Sequence, residues 1–168
     1  MDGSVKDITS EQRDWIVKYD EAQLGEVKAI EILPGKMSET VSAFANADGG
    51  EIWIGVDEDL TTKPKRRGWR GFKSIENANA HIEILDKVMQ LGQGYSFEFL
   101  RHQSSGGFVL HIEVIKVSKI IYATNGTAYV RRGGHNQPVT GHAMLQQLER
   151  DKGIESFETT NINVDQVP

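Results

Sequence analysis

Apolar and polar residues alternate in several stretches of the chain, and this spacing predicts strands with one buried face. The pattern is clearest in residues 51–56, where every second residue is Ile or Val. Residues 25–33 are also predicted to form a strand. Residues 95–99 and 108–114 alternate on either side of a Ser-Ser-Gly-Gly turn, which predicts a hairpin.

Other stretches place apolar residues three or four positions apart, which is the spacing of a helix with one buried side. Four helices are predicted in this way: residues 10–19, a segment that ends at Gly49-Gly50, residues 74–91, and a last helix capped by Thr140. Ser10 is the predicted N-cap of the first helix. Trp15, Ile16 and Tyr19 form the side of that helix that we expect to pack on the core.

Glycine, asparagine and charged residues mark the connections. The Asn125-Gly126 pair predicts a tight turn, so residues 120–132 read as a second hairpin that exits through Arg131 and Arg132 into two glycines. Residues 60–72 are predicted to form a long loop, because they are too charged to be buried. The order of the elements predicts an α+β domain, in which a mixed β-sheet is flanked by helices.

The chain has 168 residues, 38% of them hydrophobic, which suffices for the core of one domain. We divide it into a helical segment at 1–20, the main domain at 21–150 and a polar, mobile tail at 151–168. The lack of cysteine excludes disulfides and thiolate chemistry, and the histidines do not have metal-ligand spacing. Without a signal-peptide pattern or an apolar run of membrane length, we expect a cytoplasmic protein with no membrane partner.

Positive charge is concentrated in one place although the net charge is −5. Six of the eleven residues from 63 to 73, here called the basic stretch, are Lys or Arg. Its predicted nucleic-acid contacts are Lys63, Lys65, Arg66, Arg67 and Arg70 for phosphates and Trp69 for stacking on an unpaired base. Arg131 and Arg132 are further candidates beside the glycine pair. The alternative is a solvated loop whose charges only aid solubility.

Three short motifs stand in order along the chain. They are EAQLGEVK at 21–28, AFANADGG at 43–50 followed by IGVD at 54–57, and YVRRG at 129–133. Together they resemble the Schlafen AlbA domain family, over roughly two thirds of the chain. The resemblance implies a single Schlafen AlbA-like lobe that binds nucleic acid.

In some members of that family, the resemblance further implies, three carboxylates cleave transfer RNA or other RNA with Mg²⁺ or Mn²⁺. They correspond here to Glu21, Glu26 and Asp57, and these would be both catalytic residues and metal ligands. Lys28 shares a strand face with Glu26 and would hold a phosphate or stabilise developing charge. The alternative is that Glu26 and Lys28 form an ion pair and that Asp57 caps its loop, and spacing alone favours this alternative.

Two functions therefore remain open after the sequence. One is a metal-dependent endoribonuclease with RNA favoured over DNA, and the other is a non-catalytic DNA- or nucleotide-binding regulatory domain. We also predict a homodimer, because a single lobe with one basic stretch offers few phosphate contacts and pairing would place two copies around one groove.

Overall fold

The centre of the computed structural model is a five-stranded sheet with helices on both faces. The structure describes residues 1–59, 61, 66–89 and 93–165, and the side chains of all of these except residue 66 and residues 154–165. In this part of the chain the strands are β1 (Val5–Asp7), β2 (Gly25–Lys28), β3 (Gly50–Ile54), β4 (Val56–Asp59), β5 (Arg66–Trp69), β6 (Tyr95–Arg101), β7 (Val109–Val114), β8 (Tyr129–Arg132) and β9 (His135–Pro138). The α-helices are α1 (Ser10–Val17), α2 (Pro34–Ala45), α3 (Asn79–Met89) and α4 (Gly141–Asp165), and a 3₁₀ turn, Ile75–Ala78, precedes α3.

The central sheet is mixed, as the alternating pattern and the order of elements predicted. Its strand order is β1-β6-β7-β3-β2. The inner strands β6, β7 and β3 pair antiparallel, whereas the two edge strands β1 and β2 run parallel to their neighbours. The predicted hairpin of β6 and β7 is confirmed. β1 was not predicted, because three exposed residues carry no alternating pattern.

The two faces of this sheet are covered unequally. One face packs on α2 and α3 through the main core, in which Met37, Phe44 and Leu85 have no exposed surface. The other face carries the eight-residue helix α1 and the β4–β5 hairpin, and a smaller cluster forms there around Ile16 and Trp53, with Val56 and Trp69 packed into it. Burying large apolar side chains is the main stabilising contribution to a fold of this size, so the α2–α3 side holds most of it.

Two small hairpins differ from the sequence predictions. Residues 66–69 were predicted as loop but pair with β4, so that Asp57 lies opposite Gly68. The hairpin predicted for residues 120–132 is present only next to its Asn125-Gly126 turn, where Tyr122 and Ala128 form an antiparallel bridge and Ala123 N donates to Thr127 O at 2.9 Å. The strand β8 pairs instead with β9 across the Gly133-Gly134 turn. Gly133 has a φ of 58°, a conformation that glycine adopts without strain and that suits this two-residue turn.

The ends of the chain also differ from prediction. The N-cap of α1 is Thr9 and not Ser10: the Thr9 side chain accepts from Gln12 N at 3.1 Å, and the Gln12 side chain accepts from Thr9 N at 2.9 Å. α4 continues past Asp151, where a polar tail was predicted, to Asp165. The described helices include none that is long and apolar enough to cross a membrane.

The candidate site: a buried carboxylate network and a cationic cleft

Glu26 lies in the middle of β2, on the sheet face that packs on α2. It is 5% exposed, and each of its carboxylate oxygens is already bound. Oε2 accepts from Thr40 Oγ1 at 2.8 Å and from Arg131 Nη1 at 3.1 Å, and Oε1 lies 3.1 Å from Lys28 Nζ. A buried carboxylate needs such partners because its desolvation is costly. Glu26 is therefore the acidic centre of a buried ion-pair network.

Arg131 is the cationic centre of the same network. Its guanidinium donates to Ala22 O at 2.8 and 3.1 Å, to Gly25 O at 3.0 Å and to Asn136 Oδ1 at 2.6 Å, in addition to Glu26. The residue is 2% exposed. The sequence analysis assigned Arg131 to phosphate binding, and this assignment is wrong because its donors point into the protein. Its role is to hold β8 against the start of β2.

Lys28 bridges two of the predicted catalytic carboxylates. Its Nζ lies 3.1 Å from Glu26 Oε1 and 3.3 Å from Glu21 Oε1. Burial alone would lower the pKa of Lys28, but the attraction of Glu26 and Glu21 outweighs it, and the pKa is raised. Lys28 thus stays charged and neutralises the two glutamates. The ion pair that spacing alone favoured is present.

Asp57 lies on β4, in a separate two-stranded sheet, and is about half exposed. Its Oδ1 is 3.5 Å from Arg70 Nη1. Among the described residues, which include Glu21, Glu26 and Asp57, no three acidic or histidine side chains are arranged to hold a metal ion. Mg²⁺ and Mn²⁺ need several oxygen ligands that are free to converge, so the residues present do not fit the implied metal site.

The basic stretch is only partly described. Lys63 and Lys65 lie outside the described residues, and so does the side chain of Arg66, whose backbone opens β5 opposite Asp59. Arg67 follows on the same strand, and its guanidinium donates to the carbonyl of Tyr19. That bond fastens β5 to the end of α1, so Arg67 contributes to positioning the hairpin.

Arg70 ends the β4–β5 hairpin with its side chain near the surface. It donates to Glu31, and this hydrogen bond lowers the pKa of the Glu31 carboxyl and raises that of Arg70. The pair is exposed, and exposed ion pairs are weak in water. A phosphate group can therefore replace Glu31 as the partner of Arg70 at little cost.

A cleft of about 640 Å³ lies next to Arg70. Lys73, the buried His81 and the glycine turn Gly106-Gly107 line it together with Arg70. No carboxylate is among its described lining residues. His81 Nε2 bonds the carbonyl of Ile32 at 2.8 Å, which fixes the ring in the wall. The cleft is therefore a rigid concave surface that presents two cations, and Lys73 had not been selected from the sequence.

Two other predicted contacts lie elsewhere. Trp69 packs against the cluster around Trp53, and its Nε1 is buried without a hydrogen-bond partner. The ring is partly buried in this cluster, and its predicted stacking on an unpaired base stays a prediction. Arg132 is exposed but lines a different cleft, beside Lys116 and Asp151. The exposed indole belongs instead to Trp15, which was predicted to pack on the core and is 58% exposed.

Comparison with known proteins places this arrangement in a family. The family model described as Schlafen, AlbA_2 matches residues 14–140. Two solved structures match 77% of the chain, each with 19% identity and a TM-score of 0.50. One is the DIP2311 protein from Corynebacterium diphtheriae, of whose length the chain spans 29%. The other is the N-terminal domain of a putative ATP-dependent DNA helicase RecG-related protein from Nitrosomonas europaea, 87% of which is covered. At this identity the likeness concerns the fold. No curated protein sequence matches the chain.

Proposed function

The chain belongs to the Schlafen, AlbA_2 family, and from this premise we propose that it is a nucleic-acid-binding domain that grips phosphates at the end of its β4–β5 hairpin. The observation that carries the proposal is the rigid cleft into which the basic stretch leads, with Arg70 and Lys73 on its wall. Lysine and arginine side chains that replace counterions along a phosphate backbone account for most of the affinity of such domains. The fixed walls mean that little conformational entropy is lost on binding.

We propose binding without metal-dependent cleavage. Cleavage through Glu21, Glu26 and Asp57 would require the carboxylates to leave Lys28, Arg131, Thr40 and Arg70 and to converge on an ion. For Glu26 that means breaking a buried, fully hydrogen-bonded pair, which is strongly destabilising. The neutralised carboxylates support the alternative that the sequence left open, a non-catalytic binding domain.

We expect neutralisation of the cleft and of the basic stretch that leads into it to weaken binding to every sequence alike. In the variant Arg66→Gln/Arg70→Gln/Lys73→Gln, each lost phosphate contact should make the negative slope of log K against log salt shallower by about 0.7–0.9. Arg67 is left in place because it holds the hairpin to Tyr19. The measurement is fluorescence anisotropy with a labelled single strand and a labelled duplex over a salt series.

A charge-matched variant, Lys36→Gln/Lys87→Gln/Arg150→Gln, serves as the control, because it changes the net charge equally on α2, α3 and α4. If both variants lose the same affinity and show the same change in slope, the effect is one of net charge and the cleft is not the interface.

Competition between RNA and DNA of the same sequence in this assay tests the preference for RNA, which stays a prediction. The homodimer also stays a prediction.

We expect transfer RNA and plasmid DNA to remain intact with the purified protein, with Mn²⁺ as with chelator. Cleavage that requires Mn²⁺ and is abolished by Asp57→Asn would contradict this expectation and restore the nuclease hypothesis. Asp57 is the suitable probe because it is half exposed. Glu26→Gln is unsuitable, because it would remove the buried partner of Arg131 and confound loss of activity with loss of folding.

A further inference from the structure

The sheet face that carries α1 has a second cavity, of about 450 Å³, between α1 and the strands. We call it the sheet pocket. Six of its lining residues matter here: Glu11, Trp15, Glu51, Trp53, Glu98 and His111. They come from α1, β3, β6 and β7, so the pocket is built by the helix and three neighbouring strands. None of them belongs to the cationic cleft or to the buried carboxylate network.

The pocket has aromatic walls. Trp53 on β3 is buried, and the His111 ring lies parallel to it at a centroid distance of 5.2 Å. Trp15 on α1 meets Trp53 edge-on at 5.8 Å and keeps 58% of its surface exposed. An indole face left open beside a buried aromatic pair is a surface on which a flat group can stack.

Contacts outside the pocket hold Trp15 in place. At the start of α1, Ser10 Oγ lies 2.9 Å from His102 Nε2, and Arg13 Nη1 donates to Ser105 Oγ at 3.0 Å. Both partners belong to the turn between β6 and β7. The wall that Trp15 forms is thus fixed to the sheet before any ligand arrives, which reduces the entropy that binding costs.

The pocket is rich in hydrogen-bond acceptors. Glu11, Glu51 and Glu98 line it against one lysine, Lys6. His111 Nε2 lies 3.0 Å from Glu51 Oε1, while the buried Nδ1 has no hydrogen-bond partner and is 3.6 Å from Glu98 Oε1. A neutral imidazole donates from one nitrogen only, and even a doubly protonated ring would leave more carboxylates than cations here. The pocket therefore lacks a positively charged hydrogen-bond donor to match its carboxylates.

We propose that the sheet pocket binds the guanidinium group of an arginine in a partner protein. A guanidinium is planar, stacks on an indole face and donates two parallel hydrogen bonds to a carboxylate. It therefore matches the exposed indole of Trp15 and the carboxylates of Glu51 and Glu98. An ammonium is more strongly hydrated and cannot stack. A phosphate backbone is repelled by the three carboxylates, so nucleic acid is the poorer occupant.

A direct test uses short acetylated and amidated peptides, Gly-Gly-Arg-Arg-Gly-Gly and the same sequence with citrulline or lysine in place of arginine. Citrulline has the shape of arginine without its charge. We expect the arginine peptide to quench tryptophan fluorescence and to bind, by calorimetry, at least about tenfold more tightly than the citrulline peptide and more tightly than the lysine peptide.

The variants are Trp15→Ala and Glu98→Gln, and Glu83→Gln is the matched control. Glu83 is an exposed glutamate on α3, on the opposite face of the sheet. We expect each pocket variant to weaken the arginine peptide about tenfold and Glu83→Gln to leave it unchanged. Because Trp15 is exposed, Trp15→Ala should keep its urea midpoint, which separates loss of binding from loss of folding.

The proposal fails if the citrulline peptide binds as well as the arginine peptide, or if Trp15→Ala binds the arginine peptide as the wild type does. It also fails if guanosine monophosphate binds with dependence on Trp15 and Glu98 while the arginine peptide does not, since the pocket would then hold a nucleobase. None of these outcomes bears on phosphate binding at the cationic cleft, so this proposal and the proposed function are tested independently.

Discussion

Replacement of the buried Arg131 with methionine is expected to lower the free energy of unfolding by about 3–5 kcal/mol, the usual cost of removing one partner of a buried ion pair. The loss is large because one side chain serves several acceptors. Besides Glu26 it satisfies the carbonyls of Ala22 and Gly25, and it lies 4.9 Å from the centre of the Phe44 ring. Without Arg131, Glu26 would lose one of its three partners and the carbonyl of Gly25 would be left buried without this donor.

Urea unfolding of the wild type and of Arg131→Met measures this loss, with Arg132→Met as the control. Arg132 is the next residue on β8 but is exposed, so its replacement should change stability by less than about 0.5 kcal/mol. The double variant Glu26→Gln/Arg131→Met should cost less than the sum of the two single variants, because the second change removes a group already left without its partner. Additive costs would show that the two residues are not coupled.

Replacement of Gly107 with alanine is the second change with a large expected effect. A Cβ at this position would lie 1.9 Å from the carbonyl oxygen of Arg70, and the φ of 73° is unfavourable for a residue with a side chain. The left-handed conformation costs about 1–2 kcal/mol. Moving the backbone apart adds about 1–3 kcal/mol, the range found for overpacked sites. The strain falls on the wall of the cationic cleft, so phosphate binding should weaken together with stability.

Gly106 supplies a matched control within the same turn. Its φ is 74°, and a Cβ there would meet no atom within 4 Å. Gly106→Ala therefore carries the conformational cost alone, and the difference between the two variants isolates the contact with Arg70. The measurements are urea midpoints and nucleic-acid affinity. Equal losses in both variants would mean that the backbone of Arg70 yields to the added methyl group without cost.

Local spacing in the sequence determined the main elements. The alternation in residues 51–56 corresponds to β3, which ends at Ile54, and to the start of β4 at Val56, and the Ser-Ser-Gly-Gly turn joins β6 and β7. The order of motifs also determined the family. These features could be predicted because they depend on residues that are close in sequence: on the alternation of side chains along a strand and on the backbone freedom of glycine at turns. β2 was predicted too long, since it ends at Lys28.

Less of the candidate site could be predicted from the sequence. The sequence located the basic stretch, whose described part reaches the cleft at Arg70, and the pair of Glu26 and Lys28, which the structure shows. It could not show that Arg131, more than a hundred positions away, is the buried partner of Glu26, since a charged residue on a strand has the same local pattern whether it faces solvent or the core. The exposure of Trp15 and Trp69 was not predictable for the same reason: the packing of α1 and β5 leaves Trp15 58% exposed and covers part of Trp69.

What the sequence by itself determined is thus the four helices, the inner strands of the mixed sheet and membership of the Schlafen, AlbA_2 family. Only the tertiary structure decided which charges are neutralised inside the protein and which face solvent. The reason is physical: the partners of Glu26, Arg70 and His111 come from distant segments, and the cost of burying a charge is set by those partners. The cationic cleft and the sheet pocket exist only where such segments meet.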